Sequence, residues 1–188
     1  MMFSFLKSHS EFSQSLAPPP SKATSRRDLV RATAAEVTPL RLGPTQLDFE
    51  DLAEFERVEN QYSSLGVQFA VAIAIRPSNP IFIPSSGCLV LMPLTFQVGI
   101  QAQFCQLVSV VQALVSGTRP VTLTALDRQG QILERVSIGS YRYLWAEGEA
   151  ELTPLPQQPL ELQTPEIAGV LFESDAPFTL DNFFFSQS

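Results

Sequence analysis

The feature that most constrains this chain is an apolar period of two that starts near Pro44 and runs almost to the end. In residues 66–75, Val67, Phe69, Val71, Ile73 and Ile75 fall on one face. Gln68, Ala70, Ala72 and Ala74 fall on the other, which is the pattern of a half-buried strand. Val121, Leu123 and Ala125 alternate in the same way with Thr122, Thr124 and Leu126. Asp127-Arg128-Gln129-Gly130 then supplies a hairpin turn before a second run over residues 131–138. Residues 91–100, 107–115, 167–173 and 178–185 are further β-rich runs. Prolines from Pro77 to Pro177 punctuate them, mostly at expected strand ends, where a missing N–H does no harm. About nine or ten strands with no long helical pattern predict an all-β fold, an antiparallel β-sandwich or barrel.

Residues 1–43 lack that period. They are Ser-rich, contain Pro18-Pro19-Pro20, and read as a disordered arm, leaving residues 44–188 as one β-sandwich domain. A sandwich of roughly 145 residues buries about two-thirds of the surface its unfolded chain exposes, so it folds without a metal or a disulfide. The formal charge of −7 divides unevenly between the two parts. Residues 1–41 hold six Lys or Arg against three Asp or Glu, and the remainder holds six Arg against sixteen acids. A basic arm therefore precedes an acidic body, and an acidic body repels phosphate backbones, which excludes nucleic acid as the domain's partner. Cys88 and Cys105 fit no zinc spacing, and two readings stay open for them: two buried small hydrophobes, or one bridge. No apolar run is long enough to cross a membrane as a helix. Ser25-Arg26-Arg27-Asp28-Leu29-Val30 resembles a twin-arginine export signal but is not followed by the apolar run such a signal needs, so the compartment stays unassigned.

What the domain lacks narrows its chemistry. The one His (His9) and the two Lys (Lys7, Lys22) all lie in the arm. A Ser-His-Asp triad, a Cys-His pair, a His-ligated zinc, a Schiff-base Lys and a phosphate-loop Lys are thus excluded from residues 44–188. Catalysis would rest on carboxylates, and a glycosidase-type pair has candidates in Glu50, Asp51, Asp127, Glu173, Asp175 and Asp181. Their structural reading is simpler: Asp127 makes its turn, Glu173 and Asp175 are solvated loop residues, and Glu50 and Asp51 end the first strand.

Three segments carry a family resemblance. Asp48-Phe49-Glu50-Asp51-Leu52 followed by Tyr62 and Leu65-Gly66-Val67-Gln68-Phe69 is similar to the opening of bacterial exported β-sandwich proteins, many of which carry a PEP-CTERM sorting tail. The stretch 121–133 resembles their central hairpin, and Ile167 to Phe172 with Phe178 to Phe185 resembles their close. The similarity covers about residues 47–185 and implies a jelly roll of the galactose-binding-like kind, extracytoplasmic, with its first and last strands as neighbours. That neighbourhood would bring Glu50 or Asp51 towards Asp181 and Asn182, hard oxygen ligands that suit a structural Ca²⁺. The alternative is that Asp181 and Asn182 cap a bulge or turn.

Tyr141, Tyr143 and Trp145 alternate with Ser140, Arg142 and Leu144, so in a strand the three rings share one side. They are either a platform on which sugars stack or packing at a core or edge. Glu147, Glu149 and Glu151 read as a solvated loop or edge. The sequence therefore predicts a non-catalytic β-sandwich module that binds carbohydrate or another protein. Its alternatives are a purely structural or adhesion domain and a carboxylate-dependent glycoside hydrolase.

Overall fold

The structure, a computed structural model, describes residues 43–95, 97–139 and 154–187. These belong to one compact unit, Leu40–Ser188. Residues 1–42 of the expected arm lie outside the described residues.

Ten strands form among the described residues: β1 (Thr45–Leu47), β2 (Arg57–Val58), β3 (Val67–Ala70), β4 (Ala72–Ile75), β5 (Val90–Pro93), β6 (Ile100–Gly117), β7 (Val121–Leu126), β8 (Ile132–Ile138), β9 (Gln158–Glu173) and β10 (Phe178–Ser186). A 3₁₀ turn at Ser63–Leu65 is the one helical element among those residues. All pairings are antiparallel. The fold is an antiparallel β-sandwich, as the period-two pattern predicts.

β6 and β9 are long enough to belong to both layers. β9 follows one edge of β6 through both halves of its length. On the other edge, β3 pairs with residues 101–104 and β10 with residues 110–117. The first layer is therefore β3-β6-β9-β7-β8, and the second is β2-β4-β5-β10-β6-β9, with β1 also beside β10. The pairing of β1 with β10 makes the first and last strands neighbours, as the family resemblance implies.

Changing layers costs ladder regularity, and the irregularities coincide with shifts in which residues face inward. In β6 the buried positions are Ile100, Ala102 and Phe104 before the register shifts around Val108, and Val111, Ala113 and Val115 after them. In β10 every residue from Phe178 to Asp181 is buried ahead of the shift between Asp181 and Phe184, and the buried positions then become Phe183 and Phe185. Residues 66–75, expected as one strand, are two. Val71 takes φ 60°, left-handed backbone that a β-branched residue rarely adopts, and there the chain leaves β6 for β5. Consequently Ala72 and Ala74 point inward, while Ile73 and Ile75 are only half-buried. Two prolines also sit inside a strand rather than at its ends. Pro159 lies where β9 has no second partner among the described residues, and Pro165 lies where its register with β6 lapses, so neither N–H is missed.

The core is built from rings contributed by both layers. Phe69, Phe104 and Phe172 come from the first layer, Phe183 and Phe185 from the second. Phe69 meets Phe183 edge-on at 5.4 Å, and Phe104 meets Phe185 at 5.1 Å. Phe172 adds a further edge contact to Phe183 at 6.2 Å. Such pairs contribute about 0.5–1.5 kcal/mol each beyond the area they bury. Phe183→Ala should therefore cost about 3–5 kcal/mol in urea unfolding. Phe184→Ala, on the half-buried side of the same strand, should cost about 1 kcal/mol or less.

Candidate functional site

Residues that alternate with the core on the first layer's strands form its outer face. Thr122 of β7 lies between Ser137 of β8 and Glu173 of β9. Thr124 lies between Arg135 and Leu171, and Leu171 opposes Gln101 of β6. One row further along, Gln103 opposes Gly169 on one side and Gln68 on the other. This face is polar, and it is internally braced. Arg135 Nε donates to Thr124 Oγ1 at 3.0 Å, and the Thr122 and Ser137 hydroxyls are 2.7 Å apart. Gln103 Nε2 donates to the Ala168 carbonyl at 3.0 Å, lying over Gly169, where a Cβ would press on Gln103 Oε1 at 3.0 Å.

At one end of this face opens a cleft of about 520 Å³ lined by Gln97, Pro120, Thr122, Arg135, Glu173, Ser174 and Asp175. The volume lies in the range of small-molecule sites, about 300–1,000 Å³. One guanidinium, two carboxylates, two hydroxyls and an amide give it donors and acceptors in mixture. Such a lining can hydrogen-bond neighbouring hydroxyl groups on a ligand. The sequence flagged Glu173 and Asp175 only as carboxylates and missed Arg135, Gln97 and Thr122. The signal for two of these was present: Thr122 and Arg135 alternate with inward-facing Val121 and Val136 on paired strands.

The four residues expected around a Ca²⁺ are divided between two partners. Glu50 and Asp181 both meet the loop that precedes β5. Glu50 Oε1 accepts the Cys88 and Leu89 N–H groups at 2.9 and 2.7 Å, and Oε2 accepts the Cys88 thiol at 3.5 Å. Asp181 is 2% exposed; its Oδ2 accepts the Ser85 N–H and hydroxyl at 2.7 and 2.8 Å, and its Oδ1 accepts the Asn182 N–H at 2.8 Å. Asn182 Nδ2 donates to Ser85 Oγ, and Asn182 itself sits at φ 47° in the β10 bulge. Asp51 turns elsewhere, accepting the Tyr62 hydroxyl at 2.5 Å. Burial, and next that bond to Asp51, push the Tyr62 phenol's pKa upward. No three His, Cys, Asp or Glu among the described residues are grouped to hold a metal ion. What Glu50 and Asp181 build is a clasp on residues 85–89.

Burial of Glu50 would raise its pKa, but the N–H groups of Leu89 and Cys88, then the thiol and the charge of Arg76, reverse this and hold it below the ordinary 4.5. Glu56 shifts the same way, through Ala53 N–H and Gln61. A general acid needs the opposite displacement. Asp127 makes its turn, accepting Gln129 and Gln131 N–H groups at 2.8 Å each.

Tyr141, Tyr143 and Trp145, and with them Glu147, Glu149 and Glu151, lie outside the described residues. Cys88 and Cys105 are unpaired. Cys88 is half-buried and Cys105 exposed, so the expected pair of buried hydrophobes is corrected: Cys105 points away from the core beside inward-facing Phe104.

No family model and no curated protein matches the chain. Solved structures do. The chain is similar to the K1 cleaved adhesin domain of Lys-gingipain from Porphyromonas gingivalis W83, at 9% identity over 77% of this chain and 98% of that one, with a TM-score of 0.46. It is similar to CsCBM6-3 from Clostridium stercorarium in complex with cellobiose, at 14% identity over 77% and 94%, TM-score 0.37. It is also similar to TmCBM61 in complex with β-1,4-galactotriose, at 10% identity over 71% and 100%, TM-score 0.37.

The clasp makes a pH-dependent prediction. Glu50 has a lower pKa folded than unfolded, so its contribution is complete above 4.5 and fades as pH falls through the folded value. Glu50→Gln should lower stability at pH 7 by about 1–3 kcal/mol, the scale of hydrogen bonds to a charged acceptor. The wild-type and variant curves should converge below pH 4.5 in denaturant titrations; a constant gap would show that the charge is not what holds the loop. Gly87→Ala should act on the same clasp, because Gly87 sits at φ 57° and a Cβ there would collide with the Glu50 carboxyl.

Proposed function

We propose that this domain is a non-catalytic binding module whose first-layer cleft takes a polyhydroxylated ligand, a carbohydrate. The observation that carries the reading is the cleft itself: about 520 Å³, open, and lined by donors and acceptors in mixture around Arg135 and Glu173. A carbohydrate presents neighbouring hydroxyls, each both donor and acceptor, so it uses such a lining fully. A purely apolar ligand would leave these groups without partners. The lack of His and Lys beyond residue 22 supports a binding role over a catalytic one. The resemblance of residues 47–185 to exported β-sandwich proteins supports an extracytoplasmic setting, where such ligands abound.

A glycan array on the full chain followed by calorimetry tests the reading. Arg135→Ala and Glu173→Gln should each weaken binding of the best glycan by roughly 10- to 100-fold, the loss of a charged hydrogen bond. Each should change folding stability by about 1 kcal/mol or less, since both side chains lie at the surface. An empty array would favour the structural or adhesion role. Because Glu173 and Asp175 share the cleft, the array is paired with a glycoside panel. Sugar release abolished by Glu173→Gln, with binding retained, would replace the module by a hydrolase.

A further inference from the structure

The second layer has an outer face of its own, pointing away from the first. On it, Ser186 of β10, Val110 of β6 and Gln163 of β9 lie in one cross-strand row. Their neighbours Phe185, Val111 and Leu162 point into the core, which fixes the direction of the row. Beside this row the β6–β9 ladder lapses. Val108 pairs with Ile167 and Val110 with Gln163, so Ser109 faces a stretch of three residues, 164–166, held in no register. Pro165 has no N–H to offer there, and Glu166 takes φ 65°. The looped-out segment opens a cleft of about 310 Å³.

Ser109, Gln163, Thr164, Ser186 and Gln187 give this cleft hydroxyls and amides, and Pro165 gives it an apolar patch. Among the described residues that line it none has an ionisable side chain, in contrast to the Arg135, Glu173 and Asp175 of the first cleft. Gln187 is held in place by donating to Gln106 Oε1 at 2.7 Å. Ser109 Oγ is buried and makes no hydrogen bond within the protein, one of two such side-chain atoms among the described residues. Buried hydroxyls are normally satisfied, and Ser109 is one of the residues that line this cleft.

We propose that this cleft is a second binding site, specific for a neutral polyhydroxylated ligand about one sugar residue in size. The absence of charge selects against uronic acids and amino sugars, whose ionised groups would be desolvated without a counter-charge. The volume, at the lower end of the range for small-molecule sites, admits one ring rather than a chain. The carbohydrate class rests on the reading of the first cleft; the site itself rests on the lapse in the ladder and the unmet Ser109 hydroxyl. Because the two clefts open on opposite outer faces, one domain holds two separate ligands at once.

The test is amide-resolved NMR of the full chain titrated with the methyl glycosides of glucose, galactose, mannose and xylose. The expected result is saturable shifts at Ser109, Thr164 and Ser186 that persist in Arg135→Ala. Ser109→Ala, which removes only the hydroxyl, should weaken them at least tenfold while leaving the fold intact, and Gln163→Ala serves as an independent second variant. No shift at these amides with any of the four glycosides, or shifts indifferent to both variants, overturns the second site. Shifts confined to the surroundings of Thr122 and Glu173 would do the same while leaving the first cleft standing. Shifts confined to Ser109 and its neighbours would support the second site and count against the first.

Discussion

The β6–β9 ladder is shared by both layers, and the position of every other strand follows from where it bends. Strands of 18 and 16 residues, at about 3.4 Å per residue, would leave one apolar face in water if they stayed flat. Folding the ladder over brings Phe104 and Phe172 of one half against Phe183 and Phe185, which sit beside the other half. The fold-over is affordable because the registry is broken locally, around Val108 on β6 and residues 163–167 on β9, rather than along the whole pair. One edge of β6 then serves β3 before the bend and β10 after it. The clefts on the two outer faces are by-products of this arrangement: one forms where the first layer meets its loops, the other at the break in registry.

The second constraint is electrostatic. The long connection between β4 and β5 has little ladder to hold it, and its backbone N–H groups need partners. Glu50, from just after β1, and Asp181, from just before the bulge of β10, supply them at two points four or fewer residues apart. Because β1 and β10 are themselves paired, both carboxylates are delivered by one piece of sheet. The bulge that follows Asp181 also returns Phe183 and Phe185 to the core. Polar and apolar needs are thus met on either side of the same irregularity.

The sequence made the β character legible because side-chain alternation follows directly from strand geometry, and Asp127 announced its turn through residue types that tolerate it. The change of layer at Val71 was not legible, since a valine carries no signal for left-handed backbone and the pattern of small and large apolar residues continues across it. Nor were the lengths of β6 and β9: Pro165 looks like punctuation, yet it lies inside β9, and only pairing with distant strands carries the ladder past it. Family resemblance brought Glu50 near Asp181, but not the Ser85–Leu89 loop that they share, which lies far from both in sequence. The first cleft stayed hidden for the same reason. Arg135, Thr122 and Glu173 come together because β7 sits between β8 and β9, an order that local pattern does not encode.

The pairing of Thr45 with Phe185 has a mechanical consequence. In an antiparallel pair with this register, the chain enters and leaves the folded unit at the same end of the β1–β10 ladder. Tension applied through both flanking segments would peel β1 from β10 one hydrogen bond at a time instead of shearing several at once. The β1–β10 pair therefore offers little resistance to a load applied in series.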